Sequence, residues 1–155
     1  FQYQHFTWWS ANFNRTAVVN VLNTRACARS IIDVSKRWER EGLLKDETFN
    51  DCLSYFKRRY IDHDEFNQYF FDLKFRKNDN QNLVEAVLKG SCRGVGDTVA
   101  TLLIIVYRLR NNLFHGEKWA YGIQGQLSNF KHANSLLMTA LDVYGDGLCS
   151  LDKIE

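Results

Sequence analysis

The chain has 155 residues, of which 45% are hydrophobic and 25% are charged. This balance excludes an intrinsically disordered segment. It supplies enough apolar surface for one domain, residues 1–155, that needs neither disulfides nor a structural metal. The formal net charge of +2 permits a polyanionic partner such as nucleic acid but does not require one.

The sequence contains no proline, which argues against a strand-rich protein because sandwiches and barrels use proline and glycine in many turns. The longest unbroken apolar run, Leu102 to Val106, is far too short to span a bilayer. The chain begins at Phe1, so we expect the true start to be omitted. The early stretch FTWWSANF lacks the features of a signal peptide. We therefore expect an all-α protein in the cytoplasm with no membrane segment.

The cysteines form no Cys-x-x-Cys pair, and their spacing matches no zinc pattern. They are Cys27, Cys52, Cys92 and Cys149. Because a chain of this size does not need disulfides, we expect reduced thiols packed as small hydrophobic side chains. Neither a metal nor a cofactor is predicted.

The first three helices are indicated by apolar spacing. Phe13 to Trp38 forms the first, and Gly42 predicts its end. KDETFNDCLSYFKRRY indicates the second, with Asp46 as its cap and basic residues in its last turn. IDHDEFNQYFFDLKFRK indicates a third, shorter helix. Its apolar residues share one face: Phe66, Tyr69, Phe70 and Leu73.

Three further helices complete the chain. NDNQNLVEAVLKG predicts a fourth helix closed by Gly90, and the fifth runs from about Asp97 to about His115 with Asp97 or Thr98 as its cap. LSNFKHANSLLMTALDVYG predicts the last helix, and the remaining residues 146–155 are expected to be frayed. The sequence therefore predicts a single-domain, up-and-down bundle of five to six helices.

The fifth helix is apolar around most of its circumference. Its main stripe consists of Val99, Leu102, Val106, Leu109 and Leu113. Ile104 and Ile105 point elsewhere on a helix that turns about 100° per residue. Its middle must therefore be covered on several sides, either as the central helix of the bundle or by a second protomer.

The same helix ends in polar residues. Arg108, Asn111 and His115 share a face, since positions i, i+3 and i+7 are neighbours on a helix. Arg110 lies about 140° from His115, close to the apolar stripe. Three explanations remain open for this arginine: its side chain reaches the helix end, the last turn distorts near Gly116, or a symmetry-related chain completes the site.

The stretch RNNLFHG resembles the signature of the HEPN superfamily, an Arg followed by a polar residue and then a His near the end of a long helix. Arg110, Asn111 and His115 match this signature, with four residues between the Arg and the His. The resemblance implies an up-and-down helical bundle that is commonly dimeric, with both motifs meeting in a composite cleft. In many members it implies a metal-independent endoribonuclease that acts as a toxin, in abortive infection or in CRISPR-associated defence.

The residue types suit RNA cleavage by attack of the ribose 2′-OH. His115 can act as general base or acid at neutral pH. Arg110 remains charged and can bind phosphate oxygens in a bidentate way, while Asn111 can orient the histidine or bind an oxygen. Arg108 is expected to be a solvated or phosphate-binding neighbour, and Lys118 a surface residue that can contact the RNA backbone.

Arg108 is the alternative to Arg110 as the phosphate-contacting arginine, because it shares the face of His115. Asn112 is expected on the surface. The alternative function is a non-catalytic HEPN-type module that binds RNA, a nucleotide or a protein partner such as an antitoxin or other defence protein. In that case the chain can be one piece of a longer protein.

Other candidate features are weaker. His63, in IDHDEF, is expected in a helix-capping loop rather than at a metal. KRWER and FKRRY are basic stretches interleaved with aromatics, and they suit either an RNA groove or a solvated surface. SCRGVG lacks the ending of a phosphate-binding loop, and His132 belongs to no recognisable cluster.

Overall fold

The computed structural model describes residues 27–114 and 125–151. In chain order the elements are α1 (Ala28–Arg40), α2 (Asp46–Tyr60), β1 (Ile61–Asp62), β2 (Glu65–Phe66), α3 (Gln68–Phe71), α4 (Gln81–Leu88), α5 (Val95–Phe114) and α6 (Leu127–Leu151). Six helices and one two-stranded sheet thus make up the described part, which confirms the all-α prediction. None of the helices in these two ranges has the length and apolarity that a bilayer crossing requires.

Helix α5 lies at the centre of the fold and contacts α1, α2, α4 and α6. Every side chain from Val99 to Val106 is completely buried, which confirms the prediction of a central helix covered on several sides. Residues from the surrounding helices complete the core, among them Ile31, Trp38, Phe49, Phe56, Phe70, Leu88 and Leu136. Burying each Val, Leu or Ile contributes about 1.5–3 kcal/mol, so this helix holds the bundle together.

The predicted third helix is wrong over its first half. Residues 61–66 form an antiparallel hairpin in which Ile61 pairs with Phe66. Its turn residues, His63 and Asp64, have φ values of 48° and 64°, a left-handed conformation that a helix cannot contain. Only the four-residue α3 remains helical, and a helix that short is not visible as periodicity.

Asn67 fixes the change from hairpin to α3. Its Oδ1 accepts a hydrogen bond from the Phe70 backbone N–H at 3.3 Å, which caps α3. Its Nδ2 donates to the Arg59 carbonyl at 2.9 Å, which ties the cap to the end of α2. Phe70 and Leu73 are buried as predicted for one apolar face, whereas Tyr69 is 54% exposed.

The ends of the first four predicted segments are partly as expected. Gly42 and Gly90 adopt φ values of 71° and 78° just beyond α1 and α4, which confirms both glycines as helix stops. Residues 13–26 of the first predicted helix lie outside the described residues. Asp46 is the first helical residue of α2 and not its cap, since Lys45 occupies the cap position.

The last two helices differ from prediction at their ends. α5 begins at Val95, so Asp97 lies in its first turn instead of capping it. α6 continues to Leu151. The expectation of a frayed end is therefore wrong for residues 146–151, and residues 152–155 lie outside the described part.

The described cysteines are free thiols. Cys52 is buried, and burial raises its pKa to about 12. Cys92 is half-buried and donates to Asp97 Oδ2 at 3.2 Å. Cys27 is exposed, so the expectation of packed thiols is confirmed for Cys52 and wrong for Cys27. The Cys149 side chain lies outside the described part.

Two buried hydroxyls in α1 and α5 generate a stability prediction. Ser35 Oγ and Thr101 Oγ1 are fully buried and have no hydrogen-bond partner among the described residues. Because an unsatisfied buried hydroxyl costs about 1–3 kcal/mol, Ser35→Ala and Thr101→Val should each raise the free energy of unfolding by about 1 kcal/mol. Urea unfolding measures this. Thr139→Val is the control, since it loses a hydrogen bond to the Ser135 carbonyl and should gain nothing. Lower stability in both core variants would contradict the prediction.

Candidate functional site

The polar end of α5 contains four of the residues that the sequence singled out. Arg108, Arg110, Asn111 and Asn112 lie within the described part of the helix. His115 and Lys118 lie outside the described residues, so the roles expected for them stay predictions. The structure therefore tests how the two arginines and two asparagines are placed.

Arg108 is an internal residue, which contradicts the expectation of a solvated side chain. It is 3% exposed. Its Nε donates to the Leu73 carbonyl at 3.0 Å and its Nη2 to the Lys74 carbonyl at 2.6 Å. Its Nη1 lies 3.3 Å from Asp79 Oδ2 in a buried ion pair. These contacts turn the guanidinium toward the segment after α3, where two of its three nitrogens donate hydrogen bonds to backbone carbonyls.

Asn112, one turn after Arg108, belongs to the same network. Its Nδ2 donates to the carbonyls of Asp72 and Leu73, both at 3.0 Å, and its Oδ1 accepts from Arg108 Nη2 at 3.3 Å. Asn112 is half-buried, so the expected surface position is only partly met and its side chain has a structural role. The i, i+4 spacing of Arg108 and Asn112 was the one available sequence signal, because such residues are neighbours on a helix.

The segment that receives these bonds is shaped by its own local contacts. Lys74 has a φ of 51°, which turns its carbonyl and that of Leu73 toward α5. Asp79 is buried and also accepts from the Arg76 backbone N–H at 2.7 Å. Burial lowers the pKa of Arg108, and Asp79 opposes that shift. The network thus balances one buried positive charge against one buried negative charge.

Arg110 and Asn111 are both half-buried and lie side by side. Arg110 Nη1 donates to Asn111 Oδ1 at 3.3 Å. Burial lowers the pKa of Arg110, and Tyr107 partly opposes this. α5 is helical through Phe114, so any distortion of the helix begins after the described residues. The side chains of the first two residues of the HEPN-like signature, which are neighbours in the chain, are therefore in direct contact.

A groove opens on another side of the same helix end. Its volume is about 50 Å³, which is room for a few water molecules. It lies between α2, α3, α5 and α6, and its lining includes Arg59, Tyr60, Leu73, Leu109, Leu113 and Phe130. On a regular helix Leu109 and Leu113 point about 160° away from Asn111, whereas Arg110 points about 100° from Leu109 and about 60° from Leu113. Asn111 therefore faces away from the groove, and Arg110 points in a direction between the two.

A second polar cluster adjoins the groove and was not visible in the sequence. The rings of Tyr55 and His132 stack with centroids 3.8 Å apart. Tyr55 Oη donates to Asn129 Oδ1 at 2.7 Å, and Asn129 Nδ2 donates to Gln126 Oε1. Burial and the nearby Arg58 lower the pKa of His132, with Asp51 opposing. These residues come from α2 and α6, so no local motif could reveal them.

His63 lies in the turn of the hairpin. It is largely exposed, and its Nδ1 lies 2.8 Å from Asp62 Oδ1. The loop position is confirmed, although the loop connects two strands and does not cap a helix. Among residues 27–114 and 125–151, no three His, Cys, Asp or Glu side chains are grouped so that they could hold a metal ion.

Comparison with known proteins finds no relative of this chain. No family model, curated protein or solved structure matches the chain. The functional argument therefore depends on the residues themselves.

The buried position of Arg108 generates a prediction that separates it from Arg110. Arg108→Met leaves Asp79 buried without its ion pair, and it should lower the free energy of unfolding by about 3–5 kcal/mol. Arg110→Met, the matched control, should cost less than about 1 kcal/mol. Asn112→Ala is a milder test of the network, with an expected cost of about 1–3 kcal/mol. Urea unfolding measures all three, and equal costs for the two arginine variants would contradict the assignment.

His132 generates a prediction about pH. Its folded pKa lies below the ordinary value of 6.5, so its contribution to stability is complete above about pH 6.5 and is lost as pH falls through the folded pKa. His132→Gln should therefore reduce the slope of stability against pH between about pH 5 and 7. Urea midpoints at several pH values measure this slope. His63→Gln is the control and should keep it; an unchanged slope in His132→Gln would refute the prediction.

Proposed function

We propose that this chain is a HEPN-type endoribonuclease that cleaves RNA without a metal ion. One observation supports this above others: Arg110 and Asn111 lie together, with Nη1 and Oδ1 3.3 Å apart, at the end of the central helix. Arg108, the competing arginine, is occupied by Leu73, Lys74 and Asp79. Arg110 is therefore the arginine that we assign to phosphate.

In the proposed reaction, the ribose 2′-oxygen attacks the adjacent phosphorus and the bond from phosphorus to the 5′-oxygen breaks. A general base takes the 2′-OH proton and a general acid gives a proton to the leaving oxygen; His115 is assigned to one of these steps. Arg110 stabilises the charge that develops on the phosphate oxygens. Asn111 holds the guanidinium. The products are a 2′,3′-cyclic phosphate and a 5′-hydroxyl.

The proposal also covers the oligomeric state, the location and the biological role of the enzyme. The enzyme acts as a homodimer with a composite site, and Lys118 contacts the RNA backbone. It works in the cytoplasm as a toxin or phage-defence effector, with an antitoxin or another defence protein as its possible partner.

The second candidate is a non-catalytic helical module that binds RNA, a nucleotide or a protein. The groove favours it, since neither Arg110 nor Asn111 lines this concave surface and binding there requires no chemistry. A binding function and a nuclease function can also coexist in one chain. Only a measurement of RNA cleavage therefore distinguishes the two candidates.

Cleavage of single-stranded RNA in EDTA tests the nuclease proposal. Arg110→Ala and His115→Ala should each lower the rate at least about 100-fold, and an all-deoxy strand should remain intact because it lacks the 2′-OH. Circular dichroism and urea unfolding check the fold of each variant. Product analysis should show cyclic phosphate ends, and the mass in solution should be that of a dimer.

Arg93→Ala is the matched control, since Arg93 is exposed and precedes the opposite end of α5. It should keep full activity. RNA binding without cleavage by the wild type, or equal cleavage by wild type, Arg110→Ala and His115→Ala, would overturn the nuclease proposal. Binding without cleavage would establish the non-catalytic module instead.

A further inference from the structure

The groove between α2, α3, α5 and α6 contains polar atoms that the fold itself does not use. Tyr60 is 1% exposed, and its hydroxyl has no hydrogen-bond partner within the described part of the chain. The Nε of Arg59 is also buried without a partner among these residues. Both residues line the groove. Two adjacent residues thus leave unsatisfied polar atoms at one concave site.

The hydroxyl of Tyr60 is not needed for packing. Its ring stacks on Phe56 at 5.7 Å and meets Phe70 edge-on at 6.1 Å, contacts that a phenylalanine would make equally well. Burial raises the pKa of Tyr60, so the hydroxyl keeps its proton at neutral pH and can both donate and accept. A buried hydroxyl without a partner costs stability, which a ligand at the groove would offset.

A stacking surface stands beside these atoms. The Arg59 guanidinium lies over the Tyr69 ring, 4.4 Å from its centroid, and Tyr69 is 54% exposed. Aromatic rings and guanidinium planes are the groups on which proteins stack unpaired nucleobases. The apolar walls formed by Leu109 and Leu113 suit the same flat ring system. The groove has room for only a few water molecules, so it can take the edge of a planar heterocycle and not the whole ring.

The hydrogen-bonding groups of the lining select among heterocycles. Arg59 supplies only N–H donors, one of which reaches the Gly125 carbonyl at 3.4 Å. The Asp72 carboxylate, which also lines the groove and accepts from Gln68 Nε2 at 3.1 Å, supplies only acceptors. Guanine matches both, since O6 and N7 accept from arginine while its ring and exocyclic N–H groups donate to a carboxylate. Adenine lacks the paired acceptors. The negative charge of Asp72 would repel an acidic group placed in the groove.

We propose that this groove binds the edge of a guanine base, with Arg59 and Asp72 reading the base and Tyr60 binding inside the groove. The guanine can belong to a free nucleotide or to RNA. For RNA the inference rests on the proposed function and names the base preference of that enzyme. Arg110 is not among the residues that line the groove, so binding and cleavage can be measured separately.

Binding to two kinds of probe tests the proposal. Calorimetry measures the affinity of the protein for guanosine monophosphate and for adenosine monophosphate. Fluorescence anisotropy measures the affinity for five-nucleotide oligouridylates that carry a central G or A. Their sugars are 2′-fluoro sugars, which prevent attack by a 2′-OH. The G probe should bind at least about tenfold more tightly than the A probe. If only the oligonucleotide shows this preference, the source of the base is RNA; if the monophosphate shows it too, free nucleotides also bind.

Single-residue variants test which side chains bind the guanine. Arg59→Ala should weaken binding of the G probe about tenfold or more, whereas Arg58→Ala, which removes the same charge from the neighbouring exposed position, should not remove the preference for G. Asp72→Asn should reduce the preference for G over A. Tyr60→Phe should unfold at the same urea concentration as wild type or a higher one, yet bind the G probe more weakly.

The failure of this inference is distinguishable from failure of the nuclease proposal. Equal binding of G and A by the wild type, or unchanged binding in both Arg59→Ala and Tyr60→Phe, would overturn the guanine site even if RNA is cleaved. Retained preference for G in Arg110→Ala, whatever its cleavage rate, would support a site separate from the signature.

Discussion

The buried guanidinium of Arg108 is the interaction on which the functional end of this fold depends. It joins the central helix to the carbonyls of Leu73 and Lys74 and to the carboxylate of Asp79. Those acceptors belong to the segment that connects α3 to α4. Because backbone carbonyls buried without donors are costly, this network holds α3 against α5 and thereby places one wall of the groove.

Three consecutive residues of α5 have three different surroundings, because each step along a helix turns the side chain by about 100°. Arg108 faces the segment after α3, Leu109 lines the groove, and Arg110 lies beside Asn111. The apparent conflict between an apolar stripe and two nearby arginines is resolved by this division. One arginine is structural, and the other is the one to which the proposed function assigns the phosphate.

The sequence predicted the central helix well because complete burial produces a long apolar run, and it predicted Gly42 and Gly90 because glycine readily adopts positive φ. It could not predict the hairpin, because two strands of two residues each are too short to show an alternating pattern, even though His and Asp adopt positive φ more readily than most residues. Nor could it place Arg108, whose acceptors are carbonyls 34 and 35 residues away. Every residue carries a backbone carbonyl, so the sequence does not show which carbonyls will accept from an arginine. A buried structural arginine and a phosphate-binding arginine therefore look the same in the sequence.

The separation of the groove from the signature constrains how one RNA strand could use both. Asn111 points about 160° from the groove residues Leu109 and Leu113, but Arg110 points only about 60° from Leu113, on a helix that is about 10–12 Å across with its side chains. A stacked strand advances about 3.4 Å per nucleotide, so a guanine in the groove and a phosphate at Arg110 would lie within about three nucleotides of each other along a strand passing the helix end. The groove would therefore set where the strand is positioned without contacting the reacting atoms, and base preference would act through binding more than through the chemical step.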